Sequence, residues 1–158
     1  TLRVRQRGLA AVEFAFIAAL LFMVLFGAIE MARLTYVRTL LEEGVRRGAR
    51  LATVCPLNDG GIAAAAVFTG GGQSGLLPGF SAANIRVEYL NPAGAVIGNP
   101  AGAFTTISHV RVSVQNYSMP LLIPFNALTY TPGPVASTQP RESLGVTPTA
   151  VTPCPVAG

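Results

Sequence analysis

Two hydrophobic patterns follow one another in the first third of the chain. Residues 9–29 are apolar or glycine except at Glu13, and these 21 residues would form a helix of roughly 31 Å, the thickness of a bilayer's hydrocarbon core. After them, apolar or small residues recur at three- and four-residue intervals, as in an amphipathic helix: Leu34, Val37, Leu41, Val45, Gly48 and Ala52. Since no proline precedes Pro56, the two patterns predict one helix over residues 9–54, half transmembrane and half amphipathic.

Local features of this helix give two further expectations. Two acid–base pairs stand at i,i+4 spacing in the favourable order, and each is expected to add a few tenths of a kcal/mol: Glu42–Arg46 and Glu43–Arg47. Three glycines weaken the helix, each by about 1 kcal/mol relative to alanine: Gly27, Gly44 and Gly48. Close packing against a neighbouring helix would explain these glycines, and so would simple tolerance.

Alternation with a period of two residues predicts strands farther along. Ile85–Leu90 alternates apolar and charged side chains, which is typical of a half-buried strand. Residues 105–117 carry the strongest strand pattern, but its phase breaks near Ser108 and His109, which predicts a bulge or a late start. Together with the short apolar stretch 95–97, these segments predict three antiparallel strands covered by the outer half of the helix.

Prolines and glycines define the remaining segments. After a turn, residues 62–68 predict a helix of two turns. Residues 118–125 are apolar but contain Pro120 and Pro124, which indicates an edge strand or a packed loop. Residues 131–158 are rich in proline and threonine and are predicted to be extended and partly mobile.

The predicted fold class is therefore α+β, with a long N-terminal helix packed against a small antiparallel sheet. Its four parts are a basic leader over 1–8, the long helix over 9–54 with its span over 9–29, a small α+β domain over 55–130, and the tail over 131–158.

The positive charge is concentrated near the N-terminus. The net charge of +4 comes from arginine alone, and eight of the eleven arginines lie in the first 50 residues, where they flank or follow the predicted span. That position favours a lipid bilayer as partner and argues against nucleic acid. Arg3, Arg5 and Arg7, with no acid among them, favour a cytoplasmic N-terminus. The opposite flank is basic as well, so charge alone does not decide the orientation.

Cys55 and Cys154 are the only two cysteines. Two cysteines far beyond the span suit one disulfide in an oxidising compartment, which places the C-terminal domain outside the cytoplasm. The disulfide would tie the tail back to the end of the long helix. In the entropic model, closing a loop of about 100 residues contributes up to about 4.7 kcal/mol.

The sequence shows no motif typical of catalysis, metal binding or cofactor binding, and we expect no enzyme activity. The single histidine, His109, lies at a polar position of a predicted strand and is interpreted as a surface residue. The glycine-rich stretch 70–75 lacks the Gly-Lys-Ser/Thr ending of a phosphate-binding loop. Two distant cysteines and one histidine do not have the spacing of a metal site.

The start of the span carries a motif. Residues 7–14, RGLAAVEF, place a glycine after a basic leader, then four apolar residues, Glu13 and the aromatic Phe14. This motif resembles the prepilin-peptidase signal of type IV pilins and their relatives. The resemblance implies cleavage between Gly8 and Leu9, with Glu13 becoming the fifth residue of the mature chain. The alternative is an ordinary signal anchor whose Glu13 extends to the lipid headgroups.

The motif, the span to Ile29 and the segment 30–52 together resemble the TadE-like minor pilins of tight-adherence pilus systems. This resemblance implies a minor pilin or pseudopilin of the bacterial inner membrane that helps to assemble, prime or cap an adhesive pilus. Its implied partners are other pilin subunits, the prepilin peptidase and the assembly platform of the inner membrane. Glu13 and Phe14 would then set the subunit register. A permanently membrane-anchored periplasmic interaction protein with an uncleaved N-terminus is the alternative.

Overall fold

A 52-residue helix, α1, runs over Arg3–Val54 and spans roughly 78 Å. The computed structural model describes residues 3–68, 74–122, 128–147, 150–151 and 154. The predicted end at Val54 is confirmed, and the Cys55 N–H still donates to the Leu51 carbonyl (2.8 Å). The helix stops there because Pro56 has no N–H to donate. It begins earlier than the predicted Leu9, since part of the leader continues the same helix.

A second, short helix, α2, covers Gly60–Ala66, close to the predicted 62–68. Asp59 forms its N-cap, because its carboxylate accepts a hydrogen bond from the Gly61 N–H (2.8 Å).

Five strands follow α2 in the described part of the chain. They are β1 (Ile85–Leu90), β2 (His109–Val114), β3 (Met119–Pro120), β4 (Thr129–Tyr130) and β5 (Ala136–Pro140). The first, second and fifth form an antiparallel sheet in the order β1-β2-β5, while β3 and β4 form a separate two-stranded ribbon. The fold is α+β, as predicted.

The third strand of the sheet does not come from the segment predicted to supply it. Residues 95–97 make only an isolated bridge between Leu90 and Val96. The third strand is instead β5, which lies in the predicted tail and pairs Ser137 with Val112. The prediction of three antiparallel strands was therefore right in number, but wrong in which segment forms the third.

The predicted strand over 105–117 is shorter at both ends, and the late start is confirmed. A 3-10 turn occupies Phe104–Thr106, and β2 begins at His109. At the other end, Asn116 has a φ of 53°. That left-handed backbone conformation ends the extended strand.

The core lies between the outer half of α1 and the sheet. The α1 residues of the predicted apolar stripe are buried from Val37 to Ala52, with Leu41 and Ala52 fully inaccessible. They meet Val110 and Val112 on one face of β2, both fully buried. Burying a side chain of this size contributes about 1.5–3 kcal/mol. The amphipathic half of α1 is thus one wall of the domain core.

Two of the four glycines of α1, Gly44 and Gly48, lie where α2 crosses the helix. A Cβ on Gly44 would collide with the Ala66 carbonyl oxygen, and one on Gly48 would lie 2.9 Å from the Ala66 Cβ. Gly27 has open space around it. Close packing therefore explains Gly44 and Gly48, and the neighbouring helix is α2 of the same chain.

The predicted ion pairs on α1 are wrong in partner. Glu42 pairs with Arg38, one turn earlier (3.0 Å), and Glu43 pairs with Arg46 (3.5 Å). Arg47 lies over the Phe68 ring, 5.3 Å from its centroid. A cation over an aromatic face is a competing interaction of similar or greater strength, so the guanidinium of Arg47 is drawn away from Glu43.

The described part of the predicted tail packs against the domain. The N–H groups of Glu142 and Leu144 both donate to the Thr53 carbonyl near the end of α1 (3.3 and 3.0 Å). The Leu144 side chain is buried, and the Arg141 guanidinium donates to the Phe104 carbonyl (2.6 Å). The tail is extended as predicted, but it is fixed to the helix end by these bonds.

The α1–α2 contact gives a test of the fold. Gly44→Ala should lower the free energy of unfolding by about 1–3 kcal/mol from overpacking, partly offset by the roughly 1 kcal/mol better helix propensity of alanine. Gly27→Ala, with the same chemical change in open space, should cause no loss. Thermal unfolding of the full chain in detergent, followed by near-UV circular dichroism, measures both. Equal stabilities of the two variants would contradict the close contact.

Candidate functional site

The N-terminal half of α1 is uncovered by the rest of the chain. Within the described residues, α1 is the one helix that is long and apolar enough to cross a membrane, and its most apolar 18-residue window is 0% buried. Phe14, Phe16 and Met23 are 72%, 69% and 71% exposed. Such a surface is unfavourable in water. Length, composition and exposure are consistent with an anchor in a membrane.

The residues of the sequence motif all lie at the start of this bare segment. Gly8, Leu9, Glu13 and Phe14 are all exposed on α1. Leu9 and Glu13 are four residues apart, so they lie one above the other on the same helix face, about one turn or 5.4 Å apart along the axis. The structure therefore places the predicted cleavage site and the carboxylate on one continuous surface.

Glu13 is far from basic residues on its C-terminal side. The next arginine after it is Arg33, roughly 30 Å farther along the helix. A carboxylate inside the hydrocarbon costs on the order of 2.5–3.5 kcal/mol at mid-bilayer and less near its edge. No other element of the described chain approaches this part of α1 to satisfy it.

A polar junction marks the other end of the bare segment. Glu30 pairs with Arg33 one turn on (3.1 Å), and the Arg33 guanidinium also donates to the Pro120 carbonyl (2.9 Å). Glu30 and Arg33 are the first charged residues after Glu13. This junction joins the helix to the β3–β4 ribbon at the level where the apolar run ends.

The two cysteines form a disulfide at the far end of α1. Cys55 and Cys154 are both buried, and their Cα atoms are 5.1 Å apart. Asp59 contributes to this corner, because one carboxylate oxygen caps α2 and the other accepts a hydrogen bond from the Cys154 N–H (3.3 Å). Asp59 precedes Gly60 and Gly61 in the turn before the predicted short helix, a position typical of a helix cap. The local sequence gives no signal for its contact with Cys154.

Tyr89 supports the same corner from β1. Its hydroxyl oxygen accepts a hydrogen bond from the Asn58 N–H (2.9 Å), and burial raises the pKa of the Tyr89 phenol. The phenol therefore stays neutral at physiological pH and keeps the turn before Asp59 in place.

Elsewhere in the described chain, charged groups meet on the sheet, where Glu88 pairs with Arg86 (3.0 Å) and Arg111 (2.7 Å). His109 is half-buried at the start of β2, opposite Leu90 and Pro140 in the neighbouring strands. No group of three or more His, Cys, Asp or Glu side chains that could hold a metal ion occurs among the residues that the structure describes.

An exposed apolar helix that continues into a small disulfide-linked α+β domain is consistent with a membrane-anchored protein. The family model for TadE-like protein matches residues 8–50, so this N-terminal segment is similar to TadE-like proteins. The resemblance seen in the sequence is confirmed. No curated protein and no solved structure matched the chain.

The matched segment has defined limits within the fold. It begins at Gly8, includes Leu9, Glu13 and Phe14, and ends four residues before Val54, the end of α1. It therefore covers the bare segment and most of the buried stripe, but neither the sheet nor the disulfide. The similarity to TadE-like proteins belongs to the anchor helix, and the domain built on it lies outside the match.

The disulfide gives the test for this site. Non-reducing peptide mass mapping of freshly isolated chain should find Cys55 linked to Cys154, and Cys154→Ser should lower the free energy of unfolding by about 2–4 kcal/mol. Wild-type chain treated with a reductant is the matched control and should lose stability to a similar degree. Two free thiols in the freshly isolated chain would remove both the link and its support for an oxidising compartment.

Proposed function

We propose that this chain is a minor pilin or pseudopilin of a Tad pilus, which helps to assemble, prime or cap the filament. The observation that carries the proposal is that the TadE-like match, residues 8–50, coincides with a helix that is bare at one end and packed at the other. The bare end is suited to lie in lipid and then against other pilin helices. The packed end carries a domain for contacts outside the membrane.

Glu13 is the proposed register residue. In a bundle of such helices its carboxylate needs a cationic partner within about 4–6 Å to stay ionised. Cleavage after Gly8 would create one, the new α-amine of Leu9. An adjacent subunit shifted by about one helical turn, roughly 5.4 Å, would bring its amine to this Glu13. Apolar faces slide past one another, and a polar pair fixes their axial position.

An uncleaved chain would need a different partner for Glu13. Its leader carries Arg3, Arg5 and Arg7, and α1 continues through Gly8 without a break. Arg5 or Arg7 of a neighbouring subunit would then supply the cation. In that state the chain would act as a permanently anchored periplasmic interaction protein, the second candidate function.

The proposed orientation places the N-terminus in the cytoplasm and the domain in the periplasm, with the bacterial inner membrane in between. The basic leader supports the first assignment. The disulfide between Cys55 and Cys154 supports the second, since disulfides persist in oxidising compartments. Other pilins, the prepilin peptidase and the assembly platform are the proposed partners, and no catalytic role is proposed.

Fractionation tests the role directly. Sheared filaments and inner membranes from the same cells are probed for this chain with an antibody against its domain. A minor pilin should be found in both fractions, and deletion of the chain should reduce the filament yield. Recovery only from membranes, with a normal filament yield after deletion, would support the second candidate and contradict the first.

Processing is expected between Gly8 and Leu9. Gly8→Arg should block maturation, because a long charged side chain occupies the position next to the cleaved bond. Gln6→Arg adds the same charge two residues earlier and should leave maturation intact. Intact-mass measurement of the N-terminus from native cells distinguishes the two. A wild-type chain that keeps the leader in its working assembly would contradict this prediction.

The register role of Glu13 is tested by Glu13→Ala. Membrane insertion should be unchanged, because removing a charge eases it. Incorporation into the pilus or its assembly complex should fall by at least about tenfold, since breaking an ion pair away from water costs about 3–5 kcal/mol. Val12→Ala shortens the neighbouring side chain without removing charge, and it should incorporate normally. Normal incorporation of Glu13→Ala at matched expression would reduce Glu13 to a residue that only extends to the headgroups.

A further inference from the structure

An apolar groove lies where the bare segment of α1 meets the domain. It has a volume of about 690 Å³ and is lined on one side by α1 residues from Ala19 to Leu34. The opposite side is formed by Leu121 and Leu122, which directly follow β3. Nothing in the described chain fills this space.

Part of the groove lies at the depth of the apolar span. Ala19 and Phe22 line its far end, and they lie roughly 15 Å and 10 Å before Ile29, the end of the span. Phe26 also lines it, about 4.5 Å before that end. The two leucines thus form the wall of a groove that extends from the domain well into the apolar band.

The ribbon that carries the leucines is suited to this position. Leu122 is 65% exposed, and Leu128, which directly precedes β4, is 46% exposed. The Leu121 N–H donates to the Leu128 carbonyl (2.9 Å), so this backbone donor is satisfied within the ribbon. Residues 112–140 contain no Asp, Glu, Lys or Arg. The absence of charge and the paired Leu121 N–H both lower the cost of placing this leucine pair in hydrocarbon.

Polar groups lie just outside this position, where headgroups would be. The Arg33 guanidinium joins Glu30 to the Pro120 carbonyl and so holds the ribbon against the helix. Tyr36 is exposed one turn farther from the span, and tyrosine is enriched at membrane–water interfaces. Along α1, the apolar groove, the ion pair and the tyrosine follow in the same order as the acyl chains, headgroups and water of a membrane.

We propose that the ribbon end at Leu121 and Leu122 inserts into the domain-side leaflet of the membrane, and that phospholipid acyl chains fill the groove. The domain would then contact the bilayer at a second place besides its helix, which fixes the tilt of the domain relative to the membrane surface. This inference rests on the proposed membrane anchorage and is independent of the pilus role.

Lipid is the occupant that the position favours over a second copy of the chain. The groove is continuous with the bare surface of α1 (Ala19, Phe22 and Phe26 belong to both), so the medium that surrounds the span also reaches the groove. Acyl chains are present there at any protein density, whereas a second copy would have to be recruited. Among the groove-lining residues that the structure describes, Glu30 alone is charged, and it is partly buried and already paired with Arg33.

Tryptophan fluorescence gives a direct test, because the chain has no tryptophan of its own. Leu122→Trp is compared with Phe26→Trp inside the span and with Val96→Trp, an exposed apolar residue elsewhere in the domain. Each full-length variant is reconstituted into phosphatidylethanolamine–phosphatidylglycerol vesicles whose acyl chains are brominated, and aqueous iodide is the second quencher. Leu121→Trp serves as a second reporter in case the first disturbs the ribbon.

The expected result is a blue-shifted emission for Leu122→Trp, with quenching by brominated lipid that approaches that of Phe26→Trp and little quenching by iodide. Val96→Trp should show the reverse.

Iodide quenching of Leu122→Trp and Leu121→Trp, with Phe26→Trp quenched by lipid, would overturn the insertion and leave the anchorage intact. Shielding from both quenchers that disappears at low protein density would identify a second copy as the occupant and also overturn it. Quenching of the Phe26→Trp fluorescence by iodide would overturn the anchorage itself.

Discussion

The burial of one apolar stripe on the outer half of α1 is the contact on which the rest of the fold depends. On α1, the side chains of Val37, Leu41 and Val45 pack against Val110 and Val112 of β2. The exposed apolar segment and the domain core therefore belong to the same helix. The inner half of that helix is left bare. One helix therefore has two different apolar surfaces, one exposed along the first half and one buried against the domain along the second.

Sequence periodicity predicted the elements that bury one face. The α1 stripe and the strand Ile85–Leu90 were found at their observed positions, because a half-buried element must alternate with its own period. β5 was missed since Ala136–Pro140 is a mostly polar strand with little buried side-chain area, and the prolines around it suggested an irregular tail. Its place in the sheet comes from backbone pairing to β2, which leaves no apolar pattern in the sequence.

In the candidate site, too, the sequence predicted local arrangements but not contacts between distant segments. Gly8, Leu9, Glu13 and Phe14 form a contiguous motif, so their arrangement on one helix follows from spacing alone. Contacts between distant segments could not be read in advance: Arg47 lies over Phe68, and Asp59 accepts a hydrogen bond from Cys154. Each depends on how the chain returns to α1, which local propensity does not specify.

The disulfide has a mechanical consequence. It joins the residue after α1 to Cys154, across a sequence separation of 99, so the chain between them forms a covalently closed loop. Tension that enters the domain through α1 and leaves it near residue 154 passes through one sulfur–sulfur bond and bypasses the sheet. Under such a load β1, β2 and β5 carry little force, and the domain cannot be drawn out into an extended chain between those two points. The domain therefore keeps its length when it is pulled between these two points.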